Sequence, residues 1–384
     1  MTFLSQQVLD DIHRRAAEYD RDNRFPTEDF EQLREAGYLA AFVPSEFGGA
    51  GLSLEEICAE QTRLAEAAPA TALAINMHQI IVGVGRHMVR SGAPEGEQIL
   101  RDAAAGELFG FGISEPSNDL VLFGSLTEAV PTADGGYRFS GTKIFTSMAP
   151  AWTRLLTFGK DASDPDHPQS VFAILDRDGG GVEVKDDWDV VGMRATQSNT
   201  TVLQEAPSAY VLTVTDPGPS TNPVVFGIFA NFELLLAATY AGIGQRAIAV
   251  AAEYVKHRRS VLNQTTYSND PAIRWRLAEG ALRMEAVGPQ IRELARNFDE
   301  GADLGALWMP RLSAVKNAAA EASIEAVNQA VRSCGGSSYF NSNELSRLYR
   351  DVLAGLFQPS DQESLHSAWA NVVLGPVASP ENVQ

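Results

Sequence analysis

The stretch GYRFSGTKIFTS, residues 136–147, is a run of β-prone residues bounded by turn residues. Runs of the same kind lie on either side of it along the chain: LFGFGIS at 108–114, TRLLTFG at 153–159, SVFAILD at 170–176 and NTTVLQEA at 199–206. Short segments of this composition, separated by turns, predict strands. The middle of the chain is therefore predicted to form a β region of about a hundred residues, by the usual spacing of such runs.

The sequence before this region has helical patterns over residues 5–100. Val8, Ile12, Ala16 and Tyr19 keep the spacing of one helix face, which predicts a first amphipathic helix. Further along, Thr27 opens a segment with acidic residues in its first turn, and Ser53 with Glu56 matches a capping box. These signals predict an N-terminal helical domain.

The sequence after the β region is helical again. The segment VTDPGPSTNPV, 214–224, carries three prolines and no regular period, which is typical of a boundary linker. Beyond it, helical patterns continue to about Leu374, with long segments near 226–260, 271–300 and 306–334. The patterns predict an α+β chain with a helical domain at 1–107, a central β domain at 108–217 and a second helical domain at 218–384.

Composition limits the class of partner. The chain has 384 residues, of which 45% are hydrophobic, so it is long enough for two or three globular units. Its 30 basic and 49 acidic residues give a formal charge of −19. A surface with this charge repels phosphate backbones and anionic lipids. Nucleic acid and membrane partners are therefore not expected.

Two further features indicate a cytoplasmic protein. Cys58 and Cys334 are far apart and match no metal-binding spacing, so neither a disulfide framework nor a metal site is predicted. The N-terminal stretch MTFLSQQVLDDIHRR lacks the basic start and apolar run of a signal peptide. The uncharged stretch 67–85 is interrupted by polar residues and glycines, which favours a buried helix over a membrane span.

Familiar nucleotide-binding and hydrolase motifs are missing from the sequence, which has no Walker loop, HExxH or GxSxG. Five other segments occur in an informative order: VPSEFGGAGLS (43–53), FGISEPSND (111–119), GYRFSGTKIFTS (136–147), GIGQRAIAVAAEYVKHRR (242–259) and RSCGGSSYF (332–340). Together they resemble the acyl-CoA dehydrogenase superfamily of flavoproteins over nearly the whole chain. The resemblance implies that the central domain is a β-barrel or sandwich and that the C-terminal domain is a four-helix bundle. It also implies FAD bound between these two domains, and a homotetramer.

The resemblance implies a set of flavin contacts in the β region. A flavin ring is a flat apolar tricycle with polar edges, so it needs small hydroxyls, backbone amides and an apolar wall. Ser114 and Ser147 supply hydroxyls, and Phe145 stands where the family usually has a tryptophan. The full set expected to contact the cofactor here is Phe111, Ile113, Ser114, Asn118, Phe145 and Ser147. The alternative is that these are ordinary half-buried strand residues.

A second set is expected at the dinucleotide end of the cofactor. Arg258 matches the family's arginine that reaches the pyrophosphate of a neighbouring subunit's flavin, where its fork suits two phosphate oxygens. Gly335 and Gly336 match a turn near the adenosine half. Arg332 replaces the glutamine common before that turn, which leaves the contacts there open. The alternative for Arg258 is a solvated helix end.

The segment LFQPSDQES, 356–364, aligns with the family's catalytic segment because it follows RLYRDVLAG. Typical members have Tyr-Glu-Gly-Thr where this chain has Phe357, Gln358, Pro359 and Ser360. The glutamate that removes the substrate α-proton is thus replaced by Gln358, and a neutral amide is not a general base. Ser360 and Gln362 keep polar groups at positions that contact flavin in the family.

Some family members carry the base on another helix, at a position that aligns with Phe232. Glu233 is the next residue. Adjacent helical residues point about 100° apart, so Glu233 is expected at the site only if the alignment shifts by one residue. The alternative for Glu233 is a helix-end carboxylate or a residue of a subunit contact.

Three functions remain open on sequence alone. The first is α,β-dehydrogenation of an acyl-CoA thioester, with electrons passed to an acceptor flavoprotein or O2. The second is a two-component monooxygenase that uses reduced flavin and O2. The third is a flavin-binding homologue without catalytic activity.

Overall fold

The computed structural model describes residues 2–377. Its N-terminal part is helical, as predicted, and local signals fix the helix ends. Ser5 caps the first helix by accepting a hydrogen bond from the Val8 amide, and Ser53 with Glu56 forms the predicted capping box. The helices of this part are α1 (Gln6–Asp22), α2 (Thr27–Glu35), α3 (Leu54–Ala67), α4 (Pro69–Arg90) and α5 (Gly96–Ala104).

The middle of the chain forms one seven-stranded sheet. Its strands run in the order β1-β4-β2-β3-β7-β5, with β6 on β7, and β5 pairs back onto β4. This second pairing closes the path, which gives the sheet the predicted barrel-like form. The strands are β1 (Phe109–Gly112), β2 (Glu128–Pro131), β3 (Tyr137–Lys143), β4 (Arg154–Asp161), β5 (Gln169–Asp176), β6 (Val182–Val184) and β7 (Thr201–Thr215).

The inside of this closed sheet is a separate small core. Phe139, Trp152 and Leu155 are completely buried in it, together with small and branched side chains of β5 and β7. Gly110 on β1 makes room for the indole, because a Cβ there would lie 2.8 Å from Cγ of Trp152. The packing holds β1 against β4 and so fixes where β1 ends.

The C-terminal part is helical, and four of its helices pack against one another. The predicted segment 271–300 is in fact two helices that meet at Ala286. The helices are α6 (Pro223–His257), α7 (Pro271–Glu285), α8 (Val287–Asp299), α9 (Trp308–Cys334), α10 (Glu344–Val352) and α11 (Gln362–Leu374).

Helix α6 is the central element of the molecule. It begins where Asn222 caps the Val224 amide and Pro223 takes the first helical position. It packs against α3 and α4 on one side and α9 on another. It is long and apolar enough to cross a bilayer, yet 83% of its apolar window is buried in the protein. Its apolar character is therefore accounted for by its place in the core.

Candidate active site

A cleft of about 720 Å³ lies between the sheet and the C-terminal helices. Its walls come from the end of β1 and the loop after it, the segment after β3, the first third of α6, and the segment between α10 and α11. Cavities of this size bind small molecules and cofactors. The residues singled out from sequence that line it are Phe111, Ile113, Ser114, Asn118, Phe145, Ser147, Glu233, Gln358 and Ser360.

Aromatic rings form two walls of the cleft. Phe111 stacks on Phe232 with ring centroids 5.7 Å apart, and the ring of Phe145 meets Trp188 edge-on at 6.1 Å. Phe145 is 59% exposed and has a positive φ of 56°. A bulky residue in this backbone conformation is uncommon and is typical of functional sites. The flat apolar surfaces suit a planar ring.

Hydroxyl groups line the neighbouring part of the cleft. Oγ of Ser147 lies 2.8 Å from Oγ of Ser198, which in turn lies 2.7 Å from Oγ1 of Thr196. Thr146, next to Ser147, has a buried Oγ1 with no hydrogen-bond partner among the described residues, but it is not among the residues that line the cleft. Small hydroxyls beside aromatic walls match the polar edges and apolar faces of a flavin ring. The residues present therefore fit the ring of that cofactor.

The loop after β1 is held in place by Glu115. Its carboxylate accepts hydrogen bonds from the Leu126 amide at 2.6 Å and from Nζ of the buried Lys143 at 2.6 Å. Burial acts to raise the pKa of Glu115, but the Lys143 cation and the hydrogen bonds outweigh it and lower the pKa to about 2. Asn118 donates to Glu115 at 2.7 Å and to the Gly124 carbonyl at 2.8 Å. The Asn118 side chain thus shapes this loop.

The segment 355–361 forms the opposite wall, and Lys316 of α9 holds it. Nζ of Lys316 donates to the carbonyl oxygens of Gly355 and Ser360, each at 3.0 Å, and also to that of Gln358. Since an ammonium group has three N–H donors, all of them are used. Oε1 of Gln358 accepts a hydrogen bond of 2.5 Å from the Tyr240 hydroxyl. The Gln358 amide is thereby fixed at the cleft wall.

Glu233 lies beneath this wall. Its Oε1 accepts hydrogen bonds from Oγ of Ser360 at 2.6 Å and from the Ser360 amide at 3.1 Å. Its Oε2 is buried and has no partner among the described residues. Burial raises the pKa of the Glu233 carboxyl to about 7, against the Ser360 hydrogen bonds and the Lys316 cation. Near neutral pH this carboxyl can therefore hold or release a proton.

The alignment puts Phe232 at the family's alternative base position and expects Glu233 at the site only if it shifts by one residue. Both residues line the cleft, Phe232 half-buried and Glu233 only 1% exposed. Two faces of α6 are involved because Ser360 binds the Glu233 carboxylate while Phe232 meets Phe111 across the cleft. The alternative roles at a helix end or a subunit contact do not fit so buried a carboxylate in the first third of α6.

Charge is unevenly distributed around the cleft. The described lining includes four carboxylates, on Glu115, Asp119, Glu233 and Asp361, and one cation, Arg350. The guanidinium of Arg350 is paired with Asp20 at 2.5 Å. Within residues 2–377, therefore, the lining presents more acidic than basic groups.

The second predicted set lies outside this cleft. Arg258 follows the last residue of α6, is exposed, and its guanidinium lies 5.1 Å from the Tyr267 ring centroid. Tyr254 joins it to the turn at 335–339, because the Tyr254 hydroxyl interacts with both Arg258 and Ser337. Gly335 and Gly336 are exposed in that turn, and Gly335 has a φ of 70°. These residues are neighbours of one another, and none lines the cleft.

Two further predicted residues are exposed and absent from the described lining of the cleft. Arg332 is exposed on α9 and binds Asn328 at 3.2 Å. Gln362 is exposed at the start of α11, and it is absent from the described lining. The structure thus supplies no contact between Gln362 and the site that Ser360 lines.

Several lining and supporting residues went unnoticed in the sequence. Lys316 and Tyr240 support the 355–361 wall, and Trp188, Thr196 and Ser198 line the cleft. A lysine within the alanine-rich stretch SAVKNAAAEAS, 313–323, was the available signal, since a lysine on a packed helix face needs partners. The others carry no local signal, because the barrel brings distant segments together.

Comparison with protein families gives matches over both helical parts. The family model described as acyl-CoA dehydrogenase, N-terminal domain, matches residues 4–107. The model described as acyl-CoA dehydrogenase, C-terminal domain, matches residues 234–357.

Curated relatives of the chain carry different activities in their names. The chain is 29% identical over 369 residues to the putative acyl-CoA dehydrogenase YdbM of Bacillus subtilis, covering 92% of this chain and 91% of that protein. It is 30% identical over 363 residues to the L-evernosamine nitrososynthase of a Micromonospora species, covering 91% and 84%. It is 26% identical over 360 residues to the dibenzothiophene monooxygenase of Mycolicibacterium goodii, covering 87% and 84%.

Solved structures give the same picture of the fold. KijD3, solved with FMN and a dTDP-linked amino keto sugar, superposes with a TM-score of 0.85 at 28% identity, covering 97% of this chain and 93% of that one. Butyryl-CoA dehydrogenase of Megasphaera elsdenii superposes with a TM-score of 0.84 at 19% identity, covering 97% and 99%. The helix, sheet and helix plan is therefore shared with proteins of different activity.

Proposed function

The chain belongs to the acyl-CoA dehydrogenase family of flavoproteins, and within it we propose a monooxygenase that takes up reduced flavin and uses O2 to oxidise a small molecule. The observation that carries the proposal is Gln358. It lies in the cleft wall, and its amide is held by Tyr240. The resemblance aligns it with the family's usual base. An amide cannot accept the α-proton of a thioester at working pH.

The carboxylates of the cleft do not replace that base readily. Glu115 is paired with Lys143, and Asp361 caps α11 by accepting from the Ser364 amide at 2.8 Å. Asp119 is exposed on the loop, and the Glu233 carboxylate is covered by Ser360. Among the described lining residues, each carboxylate is thus engaged, buried or at the solvent edge. Oxygenation of a heteroatom does not remove a proton from carbon. A cleft without a free catalytic carboxylate is therefore compatible with that reaction.

The names of the relatives point the same way. The relative at 30% identity is named a nitrososynthase of an amino sugar, L-evernosamine. The relative at 26% identity is named a monooxygenase of dibenzothiophene, a sulfur compound. KijD3 was solved with FMN. A flavin cofactor thus has support from both the relatives and the fit of the cleft.

Reduced flavin, when bound, supplies the two electrons with which O2 is activated. The chain's own residues would hold the ring and the substrate and exclude water. The Phe111–Phe232 and Phe145–Trp188 pairs supply the apolar surfaces, and a dry site strengthens the polar contacts made inside it. Glu233 would hold a proton on Oε2, since Oε1 already accepts two hydrogen bonds from Ser360.

Rapid mixing tests the proposal. Protein is loaded anaerobically with reduced FMN or FAD and mixed with O2, and the flavin absorbance is followed beside free reduced flavin. We expect the bound flavin to reoxidise with a time course of its own, and anaerobic butyryl-CoA to leave oxidised flavin unbleached. Identical time courses for bound and free flavin would contradict the proposal, and bleaching by butyryl-CoA would establish dehydrogenation instead.

Dehydrogenation is the second candidate because Glu233, whose pKa burial raises to about 7, lines the cleft. If Glu233 is the base, Glu233→Gln abolishes bleaching, whereas Gln358→Ala only weakens it. Losing a general base lowers a rate on the order of a hundredfold or more, while losing an amide hydrogen bond costs about 0.5 to 1.5 kcal/mol. The reverse pattern would remove Glu233 from the chemistry.

We propose that the flavin phosphate is met by a second copy of the chain. Glu233 and Arg258 are 25 positions apart on one helix, or about 37 Å at a rise of 1.5 Å per residue. A flavin in the cleft of one chain is too far from its own Arg258, so Arg258 serves a neighbour. A homotetramer built from such pairs is the proposed assembly.

We propose that the bound flavin is FAD rather than FMN. A side chain at Gly335 or Gly336 would meet no described atom within 4 Å, so the turn beside Arg258 has open space for an adenosine half. Comparing the affinities of FAD and FMN tests this step, because equal affinities would show that the adenosine half is not held. A cytoplasmic location is proposed from the two free, buried cysteines.

A further inference from the structure

We infer that the substrate of the cleft is a compact apolar molecule that carries no phosphate or other anionic group. This inference rests on the proposed function, and it narrows the substrate within that reaction. It departs from the nucleotide-linked sugar bound to KijD3 and from acyl-CoA, both of which carry phosphates.

The first argument is the supply of cations. Within residues 2–377, the cleft lining contains one basic side chain, Arg350, and Asp20 neutralises it. Phosphate recognition in proteins depends on Arg or Lys forks, or on helix N-termini. A diphosphate placed in this cleft would find no unpaired basic side chain among the described residues. The helix N-terminus in the described lining, that of α11, is already capped by Asp361, whose carboxylate accepts a hydrogen bond from the Ser364 amide at 2.8 Å.

The second argument concerns the two buried lysines behind the walls. Nζ of Lys316 donates to three backbone carbonyl groups, and Nζ of Lys143 binds Glu115 at 2.6 Å and the Phe158 carbonyl at 2.8 Å. Neither side chain is exposed. Both ammonium groups bind other protein groups, so neither can bind a ligand without losing the hydrogen bonds that hold the cleft walls.

The third argument is the opening of the cleft. The side chains there include Leu120, Val191 and Phe357, which are 57%, 63% and 79% exposed. Exposed apolar side chains grouped at one cavity favour an apolar ligand. Asp119 and Asp361 add negative charge on the same rim and oppose an anion further.

The flavin phosphate does not contradict this inference. The basic residue proposed to meet it is Arg258 of a second copy of the chain, and Arg258 is absent from the lining of the cleft in its own copy. The cleft receives the ring end of the cofactor, and the cofactor phosphate is met elsewhere. A substrate that must lie beside the ring has to be held by the cleft walls themselves.

The test measures binding to the flavin-saturated protein by titration calorimetry under non-reacting conditions, with oxidised FMN. Indole serves as the uncharged apolar probe, and dTDP and CoA serve as the phosphorylated probes. We expect saturable binding of indole, and binding of dTDP and CoA that is at least about tenfold weaker, a difference of about 1.4 kcal/mol. Tighter binding of dTDP or CoA than of indole, or no binding of indole, overturns the inference.

A matched pair of variants localises the binding. Leu120→Ala removes an exposed apolar side chain at the cleft, and Leu282→Ala removes one that is 69% exposed on α7, outside the cleft lining. We expect the first change to weaken indole binding several-fold and the second to leave it unchanged. Equal effects would place indole elsewhere. Because no O2 or reduced flavin is present, these results are independent of whether the oxygenation experiment succeeds.

Discussion

Replacing Glu233 with glutamine changes how the stability of the protein depends on pH. In the folded protein, burial raises the pKa of this carboxyl from an ordinary value of 4.5 to about 7. The folded state therefore holds the proton more tightly than the unfolded state. As the pH rises from 4.5 to 7, the unfolded chain ionises first, and Glu233 lowers the free energy of unfolding throughout this window. Below 4.5 it has no such effect, and above 7 the loss is constant.

The magnitude follows from the difference between the two pKa values. A difference of 2.5 units corresponds to about 3 kcal/mol at 1.36 kcal/mol per unit. Glutamine has nearly the same shape, and its Oε1 can accept the same hydrogen bonds from Ser360. The glutamine side chain does not titrate, so the variant does not lose stability as Glu233 ionises. The stability of Glu233→Gln relative to the wild type should therefore rise with pH, and the rise from about pH 5 to about pH 8 should be about 2 to 3 kcal/mol.

Urea unfolding of the two flavin-free proteins at about pH 5, 6, 7 and 8 measures this gain. Subtracting one curve from the other cancels groups common to both, including Asp29 and Asp351, whose pKa values burial raises to about 6. Glu285→Gln is the matched control, since Glu285 is exposed on α7, and we expect no such trend for it. A difference between Glu233→Gln and wild type that stays flat with pH would refute the buried, proton-holding carboxyl.

Three further outcomes are expected. Arg258→Ala should weaken FMN binding by about 1.5 to 3 kcal/mol, the scale of a charged hydrogen bond, and leave riboflavin unaffected; equal losses for both ligands in equilibrium dialysis would contradict a phosphate contact. Lys316→Met should increase hydrogen exchange in 355–361 by removing three backbone contacts while α4 stays protected, and unchanged exchange there would show that the wall does not need the lysine. Tyr240→Phe should cost about 1 kcal/mol of stability by removing the hydrogen bond to Gln358, measured by urea unfolding, and no loss would mean that the bond contributes nothing.

The fold could be predicted because its signals are local. The capping box at Ser53 and the β-prone runs around 136–147 depend on neighbouring residues, and each appears where expected. The long helical segment predicted near 271–300 overlooks one such local signal. The chain breaks it at Ala286, next to Val287, which starts α8 and is buried in the core. Gly288 and Pro289 follow at once, and Pro289 has no amide hydrogen to donate to the carbonyl of Glu285, so a proline signal in the sequence accounts for the break.

The cleft could be predicted only in part. The resemblance identifies its strand residues and Gln358, because they belong to segments that occur in the same order along the chain as in the family. Lys316 acts on carbonyl groups about forty positions away in sequence, and such contacts leave no local pattern. The position of Glu233 beside Ser360 also depends on how the 355–361 segment crosses α6, and helix periodicity alone cannot supply this.

The unbroken length of α6 limits which insertions and deletions the chain can accept. One residue inserted between Glu233 and Arg258 would turn the two ends of the helix by about 100° relative to each other and separate them by a further 1.5 Å. The length of the helix therefore fixes the distance and the angle between the cleft of one copy and the Arg258 side chain proposed to bind the flavin phosphate of another. We expect length differences among homologues to fall in the loops at 216–221 and 260–266, and not within this helix.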